Sequence, residues 1–536
     1  MERSVAMIFP PNWSCCVSGP HLAAPLLAGV ALAQNWACMS LDLTQEFCAS
    51  MARPPVSHDI VDAAQGEKFE ALDELYFAWE DGIHERAKGC GTANFGLLSG
   101  FGFGELEKLP LAEAARSIAE CGTIFDEFYR TSAVTRLRSA QCSVVGVSIA
   151  SRSQVLPALR LLQILRQELP HVFILLGGNV VTRLRTSAAF DTFIAHADQI
   201  VIFQGDLAFA QTLDAISQFG VESARCGLSR IAGDQTVPPA KWPLPAYETV
   251  SFENYVGRAS LSYVSTRGCY WGKCSFCAIP AGWSESGYAG TASAAAVAAQ
   301  LVQMARRTGI PRIKFVDEAL SPAKAKLLGS YLKSCQPPIE WEAYCRLEQA
   351  WEDVGLLEHA RAGGLRKLYF GLEQAPTTNR AILNKNDRGD IEKIMSACAK
   401  VGVKVHLFCM VGHPHSSPQD AWATTNYLIE NRELIDTADL SGFRFDKGTS
   451  VSGIIPAPGA SCDWDLSLKY VPVDSTTMTS EEVATIELEC QEAIWQKTPR
   501  LLHPLYRVVG PWDFLTPRYA NSRQKIEHYD VESIDC

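Results

Sequence analysis

The spacing of apolar and polar positions changes character along the chain. Residues 4–9 form a short apolar run with strand character, 22–34 keep helical spacing, and 37–43 read as a second strand ending at Asp42. From 44 to 135 the pattern is mostly helical, broken by a Gly-rich stretch at 96–104. Residues 143–150 then form a continuous apolar run with β-branched residues, the pattern of a buried parallel strand. Helical spacing follows at 156–168, a strand at 172–176 stopped by Gly177-Gly178, a strand at 200–203, and a helix over 207–219. Strand and helix alternate, which predicts an α/β, doubly wound, Rossmann-like domain over 1–227.

Residues 228–258 carry Pro238, Pro239, Pro243 and Pro245 with little periodicity, and read as a linker. A second alternation starts at Leu261. It predicts strands at 261–265, 312–316, 339–344, 367–372, 403–410 and 440–445, with helices between them. The Ala-rich stretch 292–299 belongs to one of these helices. Such a run of βα units builds a full or partial TIM-type barrel, expected here over 259–455. After Pro456 the alternation stops, and 456–536 is a small mixed region with no assignable chemistry.

The chain has 536 residues, 47% of them apolar and 20% charged, a globular composition. Its formal charge of −11 argues against a general grip on phosphate backbone, so no nucleic-acid partner is expected. No apolar run reaches the ~18 residues of a membrane span, and no membrane partner is expected. Ala31-Leu32-Ala33 looks like a signal-peptidase site, but only Arg3 precedes it as a base, and the segment reads as strand, loop and helix. The 18 cysteines are too sparse for a disulfide scaffold and fit a reducing cytoplasm.

Three of them lie in Arg267-Gly268-Cys269-Tyr270-Trp271-Gly272-Lys273-Cys274-Ser275-Phe276-Cys277, directly after a strand. In a barrel that is the C-terminal mouth, where active sites sit. Three thiolates on one loop can hold three irons of a [4Fe–4S] cluster and leave the fourth open. A structural zinc site wants four ligands, and no second Cys or Cys/His pair follows at finger spacing. Packed free thiols are the third reading. His413-Pro414-His415 reads as a pair of loop histidines, with no carboxylate near to complete a metal site.

A strand, a three-cysteine loop with an aromatic before the last cysteine, and βα units after it resemble the radical S-adenosylmethionine (SAM) enzymes. Many of those space their cysteines by three residues and then two; here the spacing is four and two. The resemblance implies that Cys269, Cys274 and Cys277 hold the cluster. It also implies SAM contacts for Asp317 and Glu318 after the second strand and for Arg346 after the third. Glu373 lies in Gly371-Leu372-Glu373-Gln374, similar to the family's Gly-Leu-Glu-Ser, and Gly412 in Gly412-His413-Pro414, similar to its Gly-x-Pro. SAM carries an amine, a carboxylate and a sulfonium, so partners of both signs are needed.

The first domain resembles the cobalamin-binding domain that precedes the barrel in one radical SAM subgroup. The matching pieces are Pro10-Pro11-Asn12-Trp13, Val145-Gly146-Val147-Ser148, Leu176-Gly177-Gly178 and Phe203-Gln204-Gly205-Asp206. They imply cobalamin contacts for Trp13, Ser148, Gly177, Gly178, Gln204 and Gly205, all at strand ends, where open α/β sheets bind ligands. No Asp-x-His-x-x-Gly occurs, so no histidine is expected to ligate cobalt. Cys15 and Cys16 lie in the first loop and read as packed thiols.

The resemblance implies a cobalamin-dependent radical SAM enzyme, a C-methyltransferase acting through a 5′-deoxyadenosyl radical on a peptide or small-molecule natural-product intermediate. It further implies an electron donor such as flavodoxin or ferredoxin. Two other readings stay open: the same cofactors used for rearrangement, cyclisation or C–H oxidation, and a non-catalytic iron–sulfur or cobalamin-binding protein.

Overall fold

The computed structural model describes residues 3–506 apart from 13–18, 56, 88–94, 97–99, 234, 256–258, 377, 379–382, 386–387, 460–461, 474, 476 and 504–505. Its first sheet has six strands: β1 (Ser4–Phe9), β2 (Ala37–Asp42), β3 (Val144–Ser148), β4 (Phe173–Gly177), β5 (Gln199–Val201) and β6 (Ile231–Ala232). They lie in the order β2-β1-β3-β4-β5-β6, and every pairing is parallel. The winding reverses between β1 and β3. Helices α1 (Ala23–Ala33), α2 (Val155–Glu168) and α3 (Gly205–Phe219) pack on the sheet. Both faces are apolar. Val5, Met7 and Phe173 join one core, and Ala6, Ile8, Val145 and Ile174 join the other. This two-sided burial is why the strands read as continuous apolar runs.

The second sheet holds β7 (Leu261–Tyr263), β8 (Arg312–Phe315), β9 (Glu340–Cys345), β10 (Leu365–Glu373), β11 (Lys404–Val411) and β12 (Thr437–Gly442). These strands pair in sequential order, all parallel, the winding of an α/β barrel. Among the described residues β7 and β12 do not pair, so the barrel is partial. Alternate positions Ile313, Phe315, Trp341, Ala343, Leu368 and Phe370 pack outward under the helices. The intervening positions are polar or aromatic: Lys314 lies 3.6 Å from Glu342, and the Tyr369 hydroxyl donates to Glu342 at 3.0 Å. Helices α4 (Ala294–Thr308), α5 (Pro322–Leu332), α6 (Val354–Ala362), α7 (Ile391–Val401) and α8 (Pro418–Glu430) start at the caps Ser293, Ser321, Asp353, Asp390 and Ser417. Each cap side chain accepts from a backbone N–H of the first turn, which is why these helices begin where they do.

The region after 456 acquires a structural role that its sequence pattern does not announce. Helix α9 (Ser480–Lys497) packs on α8 and β12, capped by Thr479 and Glu482. The segment before it crosses back to the first unit. There Arg152 lies over the Trp464 ring at 4.2 Å and pairs with Asp465 at 2.6 Å, and Arg183 pairs with Asp446 at 3.1 Å.

A deeper link joins the two sheets. Arg267, one residue before Gly268-Cys269, is 1% exposed. Its Nη2 donates to Asp206 at 2.9 Å, and its Nη1 donates to Asp206 and to Gln204, at 2.5 and 2.8 Å. The guanidinium also sits 4.5 Å from the Trp242 ring centroid. Removing one partner of a buried pair strands the other charge, at about 3–5 kcal/mol. Asp206→Ala should therefore lower stability by that order in chemical denaturation. The Asp206→Leu, Arg267→Met double variant should recover most of the loss, because no lone charge remains buried.

Candidate functional site between the two sheets

The carboxyl ends of the first sheet's strands open onto a cavity of about 400 Å³. Open α/β sheets bind ligands at such ends, near the point where the winding reverses. Ser148, Gly177, Gly178, Gln204 and Gly205 all line it. The opposite wall belongs to the second unit: Val264, Arg267, Ile279, Trp283, Val316 and Glu318. The structure thus brings five of the six proposed cobalamin contacts to one wall. Trp13, with Cys15 and Cys16, lies outside the described residues.

The glycines on this wall differ in what they permit. Gly178 has φ +108°, and a Cβ there would lie 2.4 Å from the Ile149 carbonyl oxygen. A Cβ at Gly177 would lie 2.9 Å from the Val201 carbonyl oxygen. Both glycines are thus required first by the neighbouring backbone, ahead of any ligand. At Gly205 a Cβ would meet the Val201 and Leu27 side chains at 3.5 and 3.7 Å, ordinary contact.

One histidine does line the cavity, and the sequence motif did not reveal it. His21 stacks on Phe9 with centroids 4.4 Å apart, and its Nδ1 accepts from the Ala23 N–H at 3.3 Å. Burial pulls its pKa down to about 4, so the ring is neutral.

The cysteine loop lies on the other side of Arg267. Cys269, Cys274 and Cys277 are half-buried. Burial pushes the Cys277 thiol up to about 12, with Cys274, Glu318 and Cys269 adding to it. Burial likewise raises Cys274 to about 11, against the pull of Lys385 and Arg346. Among the described residues no three His, Cys, Asp or Glu side chains converge on a point that one ion could occupy. Each ligating thiolate of a [4Fe–4S] cluster binds a different iron, so three cysteines that hold one need not converge on a point. The four-residue spacing is absorbed by Gly272, at φ +61°. Trp271 Nε1 donates to the Asn384 carbonyl at 2.9 Å, Asn384 Nδ2 donates to the Lys273 carbonyl at 2.8 Å, and the Ser275 N–H donates to the Leu383 carbonyl at 3.1 Å. The segment 383–385 therefore clamps the longer loop.

The five positions tied to SAM by resemblance fall into separate settings. Arg346 lies over the rings of Trp271 and Tyr270, at 4.9 and 5.7 Å, and its Nη2 donates to the Lys385 carbonyl. Glu373 pairs with Lys385 at 2.9 Å, and its φ of +67° is a left-handed conformation that a non-glycine residue adopts only under constraint. These two stand together near Cys274. Asp317 is turned elsewhere: 1% exposed, it accepts from the Ser265 N–H and hydroxyl, each at 2.5 Å. Glu318 faces the cavity and accepts from Trp283 Nε1 at 2.9 Å. Burial, with Asp317 adding to it, raises its carboxyl to about 7. Gly412 has φ +76°, and a Cβ there would meet Val483 of α9 at 2.4 Å. His413 is buried between Phe276 and Phe443, its Nδ1 2.9 Å from the Pro414 carbonyl, as suits a loop histidine.

No family model matches the sequence, and no curated protein matches it. Among solved structures, the chain is similar to the radical S-adenosylmethionine methyltransferase TsrM from Kitasatospora setae, with cobalamin and a [4Fe–4S] cluster bound. The alignment spans 99% of this chain and 94% of that one at 12% identity, with a TM-score of 0.53. This chain has the fold of a cobalamin-binding radical SAM methyltransferase. The apo form of OxsB, a cobalamin-dependent S-adenosylmethionine radical enzyme, aligns over 95% of this chain and 57% of its own at 12% identity, TM-score 0.49. In this fold the doubly wound sheet and the partial barrel both line the cavity; the two alternations in the sequence predict the two units but not the shared wall.

The glycine geometry yields a test that needs no ligand. Gly178→Ala should lower the melting temperature by several degrees or abolish soluble expression, because the new Cβ strikes backbone in a left-handed conformation. Gly205→Ala should melt close to the wild type.

Proposed function

We propose that the chain is a cobalamin-dependent radical SAM enzyme that methylates an unactivated carbon of a peptide or small-molecule intermediate. One observation supports this reading: Arg267, two residues before Cys269, lines the cavity and is bonded to Gln204 and Asp206, which brings the start of the cysteine loop beside the proposed corrinoid site. An enzyme that uses both cofactors on one substrate needs that proximity.

Cys269, Cys274 and Cys277 would hold the [4Fe–4S] cluster, and Arg346 and Glu373, beside Cys274, would hold the SAM carboxylate and amine. Ser148, Gly177, Gly178, Gln204 and Gly205 would line the corrinoid site, where the glycines expose backbone to a large flat ring. When bound, these groups supply a 5′-deoxyadenosyl radical and a methyl group. The apolar cavity wall keeps water from a reactive carbon. An electron donor such as flavodoxin or ferredoxin would reduce the cluster. The left-handed backbone at Glu373 supports a functional role there, since strain of about 1–3 kcal/mol persists only where surrounding structure enforces it. The raised thiols of Cys274 and Cys277 imply that loading releases protons, because the ligands bind as thiolates.

Two measurements test the reading. Anaerobic reconstitution with iron and sulfide should yield about four irons per chain and a broad visible chromophore. Each of Cys269→Ala, Cys274→Ala and Cys277→Ala should abolish it; stoichiometric zinc without iron would reject the assignment. Protein made with cobalamin available should carry about one corrinoid, with its lower base displaced and no histidine nitrogen on cobalt, because the sequence holds no Asp-x-His-x-x-Gly motif. Visible and electron paramagnetic resonance spectra read both points. No corrinoid bands, or a nitrogen-coordinated spectrum, would reject it. The mass of the product then separates methylation from rearrangement, cyclisation or oxidation.

A further inference from the structure

Four residues separate Cys269 from Cys274, one more than in many radical SAM enzymes. A longer loop samples more arrangements of its thiols unless something outside it removes that freedom. Here the stretch is held from two sides. The Tyr270 hydroxyl donates to Glu348, Trp271 Nε1 donates to the Asn384 carbonyl at 2.9 Å, and Asn384 Nδ2 donates to the Lys273 carbonyl at 2.8 Å. Asn384 is therefore bonded twice, once as acceptor and once as donor, to the residues that flank Gly272, where the loop turns through a φ of +61°. Asn384 has a φ of +48° itself. Asparagine is one of the few residues that adopt left-handed backbone readily, and that backbone lets carbonyl and side chain meet the same loop.

The two holding segments are also tied to each other. The Arg388 and Gly389 N–H groups donate to the Leu347 carbonyl at 3.2 and 3.1 Å, and Arg346 donates to the Lys385 carbonyl. Glu348 and Asn384 thus stand on one braced support rather than on two independent loops. Resting on the cluster assignment made above, we propose that Asn384 is the positioning residue of the cysteine loop. From a distant part of the chain it supplies the shape that a shorter spacing would take from its own turn, so the thiols stand ready before iron arrives. The same bonds pin Trp271 over Arg346, 4.9 Å from the ring centroid, and so keep water from that side of the cluster. A reduced cluster carries more negative charge than an oxidised one, so water admitted there raises the reduction potential.

Two variants of the full chain separate the bonds. Asn384→Gly keeps the left-handed backbone and removes only the side-chain donor; Trp271→Phe keeps a ring beside Arg346 and removes only the indole donor. Before any iron is added, hydrogen exchange in the peptide spanning 269–277 should rise in both, with melting temperatures within a few degrees of the wild type, because both bonds lie at the surface. After reconstitution with iron and sulfide, iron loss to a chelator should run up to about tenfold faster in each, the scale of one hydrogen bond. A redox titration followed by electron paramagnetic resonance should show the potential moved upward. The double variant should lose iron more slowly than the product of the single effects, because both bonds cross one gap and each holds the other in place. Wild-type exchange and chelation rates in both single variants overturn the proposal. So does faster iron loss with an unmoved potential, which would make Asn384 a stabiliser of the fold alone, and so do fully multiplicative effects. Failure of the cluster reading shows separately, as wild-type chain that takes up no iron, and the exchange measurement still decides whether Asn384 holds the loop.

Discussion

A guanidinium with almost no exposure, lying between two sheets, is the constraint on which the rest of the arrangement turns. Taking Arg267 and Asp206 out of water carries a penalty of several kcal/mol per ion, and Coulomb attraction offsets it only when the geometry is good and the remaining N–H groups are satisfied. Here Asp206 takes both terminal nitrogens, Gln204 accepts a further bond and Trp242 offers a ring face, while the buried Nε of Arg267 has no partner among the described residues. Such a pair is weak as a source of net stability and strong as a source of position, because every other register of the two units leaves a charge buried alone. Its place in the chain matters: Arg267 precedes the cysteine loop and Asp206 lies in the first turn of α3, so fixing one fixes the other.

The architecture was legible in the sequence because both sheets are parallel and buried on at least one face. Runs such as 143–150 announce themselves, whereas the Pro-rich stretch read as a linker over 228–258 hides β6, the two-residue edge strand of the first sheet, which is too short to carry a period. The cysteine loop was legible as well, since its chemistry is concentrated in nine residues. What could not be read was partnership across distance. Nothing near Arg267 points to Asp206, and the acid beside Glu318 looks like its equal until the fold turns Asp317 toward Ser265 and leaves Glu318 facing the cavity. His21 escaped for a similar reason: it precedes a helix without any metal motif, and only the packing of α1 against β1 brings its ring to the cavity. The tail after 456 has no period of its own because its residues serve two units at once, Trp464 on the first and Val483 on the second.

Three positions near the proposed sites carry backbone that L-residues avoid. Gly178, Glu373 and Gly412 all have positive φ, and all end strands of the two sheets or directly follow them. At Gly178 and Gly412 the reason lies in neighbouring protein, Ile149 in one case and Val483 in the other. At Glu373 no glycine relieves the strain, and the carboxylate is held by Lys385. A motif match alone would give the three positions the same weight. Sterics separates them: at two the neighbouring protein forbids a Cβ, and at the third a side chain is present and pairs with Lys385.

The same distinction bears on how two proposed cofactor sites work as one. In the proposed reaction a radical made at the cluster and a methyl group carried by a corrinoid would have to reach one carbon, so an error of an ångström between the sites would cost rate as surely as loss of either. The segment 228–258 helps to set that distance, with Trp242 on Arg267, the Tyr255 hydroxyl donating to Asp42 at 2.5 Å and the Tyr247 hydroxyl donating to the Ser262 carbonyl at 2.7 Å. Three further contacts act with it: the buried Arg267–Asp206 pair, the stack of Arg152 on Trp464, and the pairing of Arg183 with Asp446. The last two come from the segment after β12, which lies beyond the barrel in the chain yet closes it onto the first sheet. The longer cysteine loop belongs to this design. Its added length places Trp271 over Arg346 and against Asn384, so the loop is braced by β9 and the 383–385 segment on one side and by Arg267 on the other. A loop of four-residue spacing held at both ends keeps the proposed cluster in register with the cavity, which a shorter loop without those contacts would have to achieve by its own turn alone.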